Sequence, residues 1–330
     1  MKILTLGNSH AIDAMTMLYE VWQKQNPGAE LTLGIMYYSG CPIDKHNRFT
    51  REQRPAYQYY KLNNAIYNET GKWQVNGTQK ASDRIPEEWK TKERIEPTDP
   101  GWVLFDGWTI DEALKDEPWD FVVVQQMNNY AFFPEHYENG ELEWHIDHIL
   151  KTVSSTPKLA FHNTWPNPMD ETYLKACRLG YWADNMEKWY GTGVGLWNED
   201  LRAMQRKMHT GLVNNTVKYI ESRKEAGIFE HVLFSGAAVQ YSFEKLGLPN
   251  SKLYRDYTHL SNYSRLMIAY YWCCKFNGLT QLKQEDIRVE KMPKEFMFLA
   301  EEWVVTQQEK ADIAAAVTFA LQTPYTLPWE

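Results

Sequence analysis

Five short apolar runs constrain this chain more than any other feature: residues 2–6, 31–36, 121–124, 158–161 and 231–234. They are rich in β-branched and aliphatic side chains and close near Gly, Asn or Gln. Continuous apolar runs of this length read as strands buried on both faces. Helical spacing fills the intervals. Ile12, Met15, Leu18, Tyr19 and Trp22 recur at that spacing, as do apolar residues within 144–153, 173–189, 199–225 and 263–276. Strands alternating with helices predict a parallel sheet with helices on both sides. Right-handed crossovers then give a three-layer α/β/α, doubly wound, flavodoxin-like sheet of about five parallel strands.

The 330 residues suffice for one large core. We read a single domain over 1–330, with an insertion at about 42–111 and a C-terminal helical extension from about 287. The insertion has no clear core strand and is far longer than an ordinary loop. It is rich in Tyr and Trp, including Tyr57, Tyr59, Tyr60, Tyr67, Trp73, Trp89, Trp102 and Trp108. We expect it to fold over the main sheet, with a turn at 68–71 and short strands at 72–75 and 102–105. Amphipathic rings suit sugar faces, and they equally suit a core. In the extension, a helix near 308–321 should turn Ile313 and Val317 inward.

Net charge is −8 with no basic cluster, which makes nucleic acid a poor partner. No apolar run is long enough to span a bilayer. The cysteines, Cys41, Cys177, Cys273 and Cys274, are scattered without zinc spacing or a disulfide framework. The first strand begins at Lys2, with no signal peptide before it. The chain is therefore expected in the cytoplasm, or in the periplasm or medium if a leader has been removed. Oligomeric state is left open.

In an open parallel sheet, ligands bind beyond the carboxyl ends of the strands. Ser9 lies there, in Gly7-Asn8-Ser9-His10, between the first strand and the first helix. A serine at this point is a candidate nucleophile or a helix cap. A nucleophile needs a base, and the base an orienting acid. Asp256 and His259 stand three apart after the last strand, in Arg255-Asp256-Tyr257-Thr258-His259-Leu260-Ser261. A turn of that length brings a carboxylate onto one imidazole nitrogen, and the alternative is a loop with a capping Asp or Ser. His145 and His148 share a helix face and could hold a metal, but no third ligand stands out. No metal or cofactor is expected. Cys41 has no local base. Arg255 is an anchor for its loop or a contact for an anionic substrate, and His162 and Trp165 at the end of the fourth strand are candidate pocket residues, the equal alternative being an interior His held by a hydrogen bond.

The combination resembles the SGNH (GDSL-type) hydrolases. Ile3-Leu4-Thr5-Leu6-Gly7-Asn8-Ser9 matches the first block, with Asn8 for the commoner Asp. Ser39-Gly40-Cys41 stands where that family has its oxyanion glycine. Residues 119–129 occupy the third block, Phe161-His162-Asn163-Thr164-Trp165 ends the fourth strand, and 255–261 form the fifth block. As a set these resemble a little-characterised bacterial branch known as a domain of unknown function and frequent in carbohydrate-degrading bacteria.

The resemblance implies that Ser9 attacks an ester carbonyl, His259 moves the proton and Asp256 orients His259. It implies an oxyanion hole from the N–H groups of Ser9 and Gly40. A third, side-chain donor would come from Asn128 or Gln126, since Gln126-Met127-Asn128-Asn129 lacks the family's glycine. His10 then becomes a neighbour that packs or walls the pocket, because consecutive helical side chains diverge. The expected activity is removal of a small acyl group, most plausibly acetyl, from a carbohydrate. The alternatives are a lipid or thioester hydrolase of the same fold, or a glycan-binding protein with a decayed site.

Overall fold

The computed structural model describes residues 1–70, 73–76, 107–168, 201–256, 258–292 and 303–330. Cys177, Trp89, Trp102, the expected helix at 173–189 and the expected strand at 102–105 lie outside them.

The five expected strands form: β1 (Lys2–Gly7), β2 (Thr32–Tyr37), β5 (Phe121–Gln125), β6 (Lys158–Asn163) and β7 (His231–Phe234). All five run parallel, side by side in the order β2-β1-β5-β6-β7. This is the flavodoxin-like arrangement, and its order reverses between β1 and β5. All five residues of β5 are buried, as a strand covered on both faces requires.

Two groups of helices pack among themselves and supply those covers. One contains α1 (Ser9–Met15), α2 (Leu18–Gln25), a helix at Ser235–Glu244, a helix at Asn262–Phe276 and the last helix, Gln307–Gln322. The other contains α3 (Ile43–Arg51) and helices at Ile110–Asp116 and Glu141–Thr152. Ile313 and Val317 of the last helix are fully buried, as its pattern predicts.

The segment after α3 departs from expectation. β3 (Gln58–Asn63) pairs antiparallel with β2 over six residues, and β4 (Gln74–Asn76) pairs with β3. In its described residues this segment extends the sheet edgewise, where folding over it was expected. Residues 64–70 are helical where a turn was expected. Tyr57, Tyr59, Tyr60 and Trp73 are buried, so these rings belong to the core and not to a sugar-facing surface. Their burial explains the composition: β3 needs large apolar faces to cover an edge of the sheet.

The core also holds five imidazoles whose side chains are almost wholly out of water: His10, His46, His145, His162 and His209. Burial pushes His10, His145 and His209 down to about 3, and His46 and His162 well below their ordinary range. Folded, they stay neutral at pH 5; unfolded, they bind protons near pH 6.5. Acid therefore favours the unfolded chain, by about 1.4 kcal/mol per pH unit for each such histidine. Urea unfolding at pH 7, 6 and 5 should show stability falling steeply below pH 6.5. A flat profile across that window contradicts the buried neutral histidines.

Candidate active site

β1 stops at Gly7, and α1 begins two residues later. The Asn8 side chain caps α1, accepting from the His10 N–H at 3.0 Å. Ser9 is therefore not the cap, which removes the structural explanation for a serine at this point. It sits half-buried at the helix N-terminus, beyond the carboxyl end of β1. This is the crevice where the strand order reverses.

Downstream, the Asp256 carboxylate accepts the backbone N–H groups of Thr258 and His259 through Oδ1, at 2.9 and 2.8 Å. It also faces His259 Nδ1 at 3.0 Å from Oδ1 and 2.8 Å from Oδ2. Burial alone would raise this carboxyl, but the hydrogen bond and charge of His259, with the two N–H groups, hold it at about 2. Asp256 is thus an anion at neutral pH. It fixes the Nδ1 side of the ring and turns Nε2 the other way. The helix at Asn262–Phe276 has its own cap, Ser261. Asp256 is therefore spared that duty as well.

The two stretches meet. The His10 ring centroid lies 6.0 Å from that of His259, and His10 Nε2 lies 3.0 Å from the Thr258 hydroxyl. His10 is buried, with Trp165 against its ring at 4.6 Å. The packing place expected for it is the one it takes, with an added polar link to the loop that carries His259.

Other expected site residues fall into different places. Gly40 is exposed with φ +54°, and a Cβ there would meet nothing within 4 Å. Glycine is needed for the backbone turn, not for space. The Gln126 side-chain oxygen, Oε1, accepts from Ile43 N at 3.2 Å and Met127 N at 3.0 Å. This ties Gln126 to the start of α3, next to the Gly40 loop. Asn128 instead reaches the histidine loop: its Nδ2 donates to Asn167 Oδ1 at 2.6 Å and approaches the Thr258 hydroxyl at 3.4 Å.

His162 and Trp165 are fully buried, and of its two alternatives His162 takes that of an interior residue held by hydrogen bonds. His162 has Gln125 Oε1 at 3.3 Å on Nδ1 and the Ser235 hydroxyl at 3.1 Å on Nε2. Trp165 donates its indole N–H to the Thr258 carbonyl at 2.9 Å and supports the loop from behind. His145 and His148 also stand apart from any metal centre: His145 bonds Asn47 and His148 bonds Asp111. Among the described residues no group of three His, Cys, Asp or Glu side chains could hold an ion. Cys41, Cys273 and Cys274 are buried.

The residue that binds this assembly together was not singled out from the sequence. Asp13 on α1 is fully buried, and Oδ1 accepts from Arg255 at 2.8 Å and from Arg265 at 2.6 and 2.9 Å. Its Oδ2 accepts from Leu260 N at 2.8 Å. Arg255 is thereby an anchor, one of the two roles foreseen for it. A signal was present: Asp13 is a lone charge within Ala11-Ile12-Asp13-Ala14-Met15, and buried charges must be paired. Arg265 is a similar isolated charge, followed in its helix by the uncharged run 266–274. Asn167, which joins Asn128, Asn129 and Thr258, carried no such signal.

No family model matches the chain, and no curated protein matches it. Among solved structures, the chain is similar to a DUF4886 family protein from Bacteroides uniformis, at 20% identity over 99% of this chain and 96% of that one. The TM-score of 0.65 shows a shared fold. A protein described as "a putative SGNH hydrolase" from Slackia heliotrinireducens matches at 12% identity and a TM-score of 0.38, over 83% of this chain and 97% of that one. That likeness is too low to carry an argument.

Asp13→Asn should destabilise the protein by about 3–5 kcal/mol, because it leaves two guanidinium groups facing a neutral amide. Urea denaturation at neutral pH measures this. A loss below about 1 kcal/mol would mean that the pairing holds nothing together.

Proposed function

We propose that the chain is an ester hydrolase of the SGNH type, with Ser9 as nucleophile, His259 as base and Asp256 as its orienting acid. The observation that carries this reading is the Asp256–His259 pair, 2.8 Å apart, set beside the β1–α1 turn that holds Ser9. Such a pair holds the imidazole in the tautomer and orientation in which its far nitrogen can accept a proton.

In this mechanism Ser9 Oγ attacks the ester carbonyl carbon while His259 Nε2 accepts the hydroxyl proton. The carbonyl oxygen becomes an oxyanion, held by the N–H groups of Ser9 and Gly40. Asn128 or Gln126 supplies the side-chain donor: Gln126 has its oxygen, not its NH₂, bonded at the α3 start, and the Asn128 NH₂ lies beside the histidine loop. The intermediate collapses as His259 returns its proton to the leaving alcohol, which departs. Water, deprotonated by the same imidazole, then attacks the acyl-serine and releases the acid. Each oxyanion donor contributes about 3–4 kcal/mol in related chemistry.

For the substrate we propose a small acyl ester, acetyl above all, on a carbohydrate. Support comes from the sequence resemblance. The aromatic residues of the 42–111 segment that are buried in the core no longer add to it. One observation favours the second reading, a glycan-binding protein without turnover: the Asn128 amide nitrogen is already engaged with Asn167 and Thr258.

With p-nitrophenyl acetate, Ser9→Ala should lower kcat by about 10,000-fold or more while circular dichroism and melting stay unchanged. Unaltered turnover in that variant sinks the mechanism. Asp256→Asn should leave a folded protein with kcat down by about 1,000- to 10,000-fold, since the imidazole loses its tautomer and aim. A panel of acetylated polysaccharides, long-chain lipid esters and acyl thioesters identifies the ester. Sugar binding without acyl release from any of them would favour the non-catalytic protein.

A further inference from the structure

Beneath the proposed site runs a series of polar side chains that the reaction does not use. Trp272 Nε1 lies 3.1 Å from Ser235 Oγ, and Ser235 Oγ lies 3.1 Å from His162 Nε2. His162 Nδ1 lies 3.3 Å from Gln125 Oε1, and Gln125 Nε2 donates to Asn8 Oδ1 at 2.7 Å. Asn8 Nδ2 then reaches the Cys41 carbonyl at 3.4 Å. These six residues are buried to within a few per cent. They link the last part of the core to two loops: the turn bearing Ser9 and the loop bearing Gly40.

The protons of this series can be arranged in only one direction. Asn8 Oδ1 accepts from the backbone N–H of His10, so it is an oxygen that faces Gln125. Gln125 must present its NH₂ to Asn8, which turns its oxygen toward His162. His162 must then carry its proton on Nδ1. A neutral imidazole has one proton, so Nε2 is an acceptor and Ser235 must donate to it. Ser235 in turn accepts from Trp272, whose indole N–H can only donate. Burial keeps His162 neutral, as this count requires.

Two glycines clear the path. A Cβ on Gly7 would lie 2.8 Å from Gln125 Oε1 and 2.8 Å from Ala11 Cβ. A Cβ on Gly236 would lie 2.5 Å from the Thr164 carbonyl oxygen, which would push Ser235 away from β6. Bare backbone at these two points lets the chain of side chains close.

We infer that this one-directional hydrogen-bond chain, with His162 as its Nδ1–H relay, positions the Asn8 turn and the Gly40 loop relative to each other. His162 and Gln125 are positioning residues. They act through Asn8 and Cys41 and touch no substrate. Resting on the hydrolase reading, the consequence for activity is that the oxyanion donors on the two loops are held at a fixed separation, as preorganised catalysis requires. A chain whose protons run one way also resists local rearrangement, because reversing one member would leave buried groups unpaired.

Nitrogen NMR of the full chain carrying isotope-labelled histidine reads the His162 tautomer directly. The expected result is a protonated Nδ1 and a bare Nε2, the opposite of the tautomer that free histidine prefers. A protonated Nε2 overturns the inference. Gln125→Met keeps the side-chain length and removes both ends of the amide. It should shift the Gly40 amide resonance and lower kcat for p-nitrophenyl acetate about 10- to 100-fold with KM little changed. A folded variant with the Gly40 resonance and kcat both unmoved overturns the inference. The tautomer is read in the unmodified chain, so a variant that fails to fold does not remove the test. An Nδ1–H tautomer together with no turnover of any ester by the unmodified chain would overturn the hydrolase reading and leave the positioning chain in place.

Discussion

The arrangement of the site depends on the buried carboxylate of Asp13. Two arginines and one backbone N–H converge on it, from the loop at 253–261 and from the helix that follows. Removing these charges from water is costly, and the pairing largely repays that cost without adding much net stability. Its effect is on position. One point on α1 fixes one point in a loop some 240 residues later, and only one placement satisfies every group. Ser9 and Asp13 share a helix of seven residues, so fixing Asp13 also fixes Ser9 relative to the loop of His259.

Around that anchor the polar groups divide into two sets. One set, with Thr258 at its centre, joins His10, Asn128, Asn167 and the Trp165 indole, and supports the histidine loop from the sheet side. The other, through Gln125 and Asn8, supports the nucleophile turn and the Gly40 loop. Both sets lie at the carboxyl ends of β1, β5 and β6, where strands stop supplying backbone partners and side chains must take over. This concentration of buried amides and imidazoles is the usual demand of a site that must be rigid before substrate arrives.

The fold was largely legible because its signal is physical and local. A strand covered on both faces has to be apolar throughout, and five such runs stood out. β3 escaped notice because Gln58, Lys61 and Asn63 interrupt its apolar residues, and aromatic side chains can serve either a ligand or a core. The Asp256–His259 contact was legible from their spacing, while the approach of their loop to the β1–α1 turn rests on long-range packing. His162 lies within β6 and Trp165 just after it, and of the two places open to His162, pocket wall or hydrogen-bonded interior, it takes the interior one. Position along a strand says nothing about what covers it, and both residues have other elements packed over them.

By itself, the sequence determined the strand and helix alternation, the parallel sheet and the two loops where reactive side chains gather. These follow from periodicity and from residue types that only certain backbones accept. Tertiary structure alone decided that Asn8 and not Ser9 caps α1, and that Gln126 braces α3 while Asn128 faces the histidine loop. It also decided that His162 is a relay inside the core. Apart from the Asn8 cap, which is a local contact, each of these depends on which groups, far apart in the chain, come within 3 Å or so of one another. Hydrogen bonds have that range, and no pattern along the sequence encodes it.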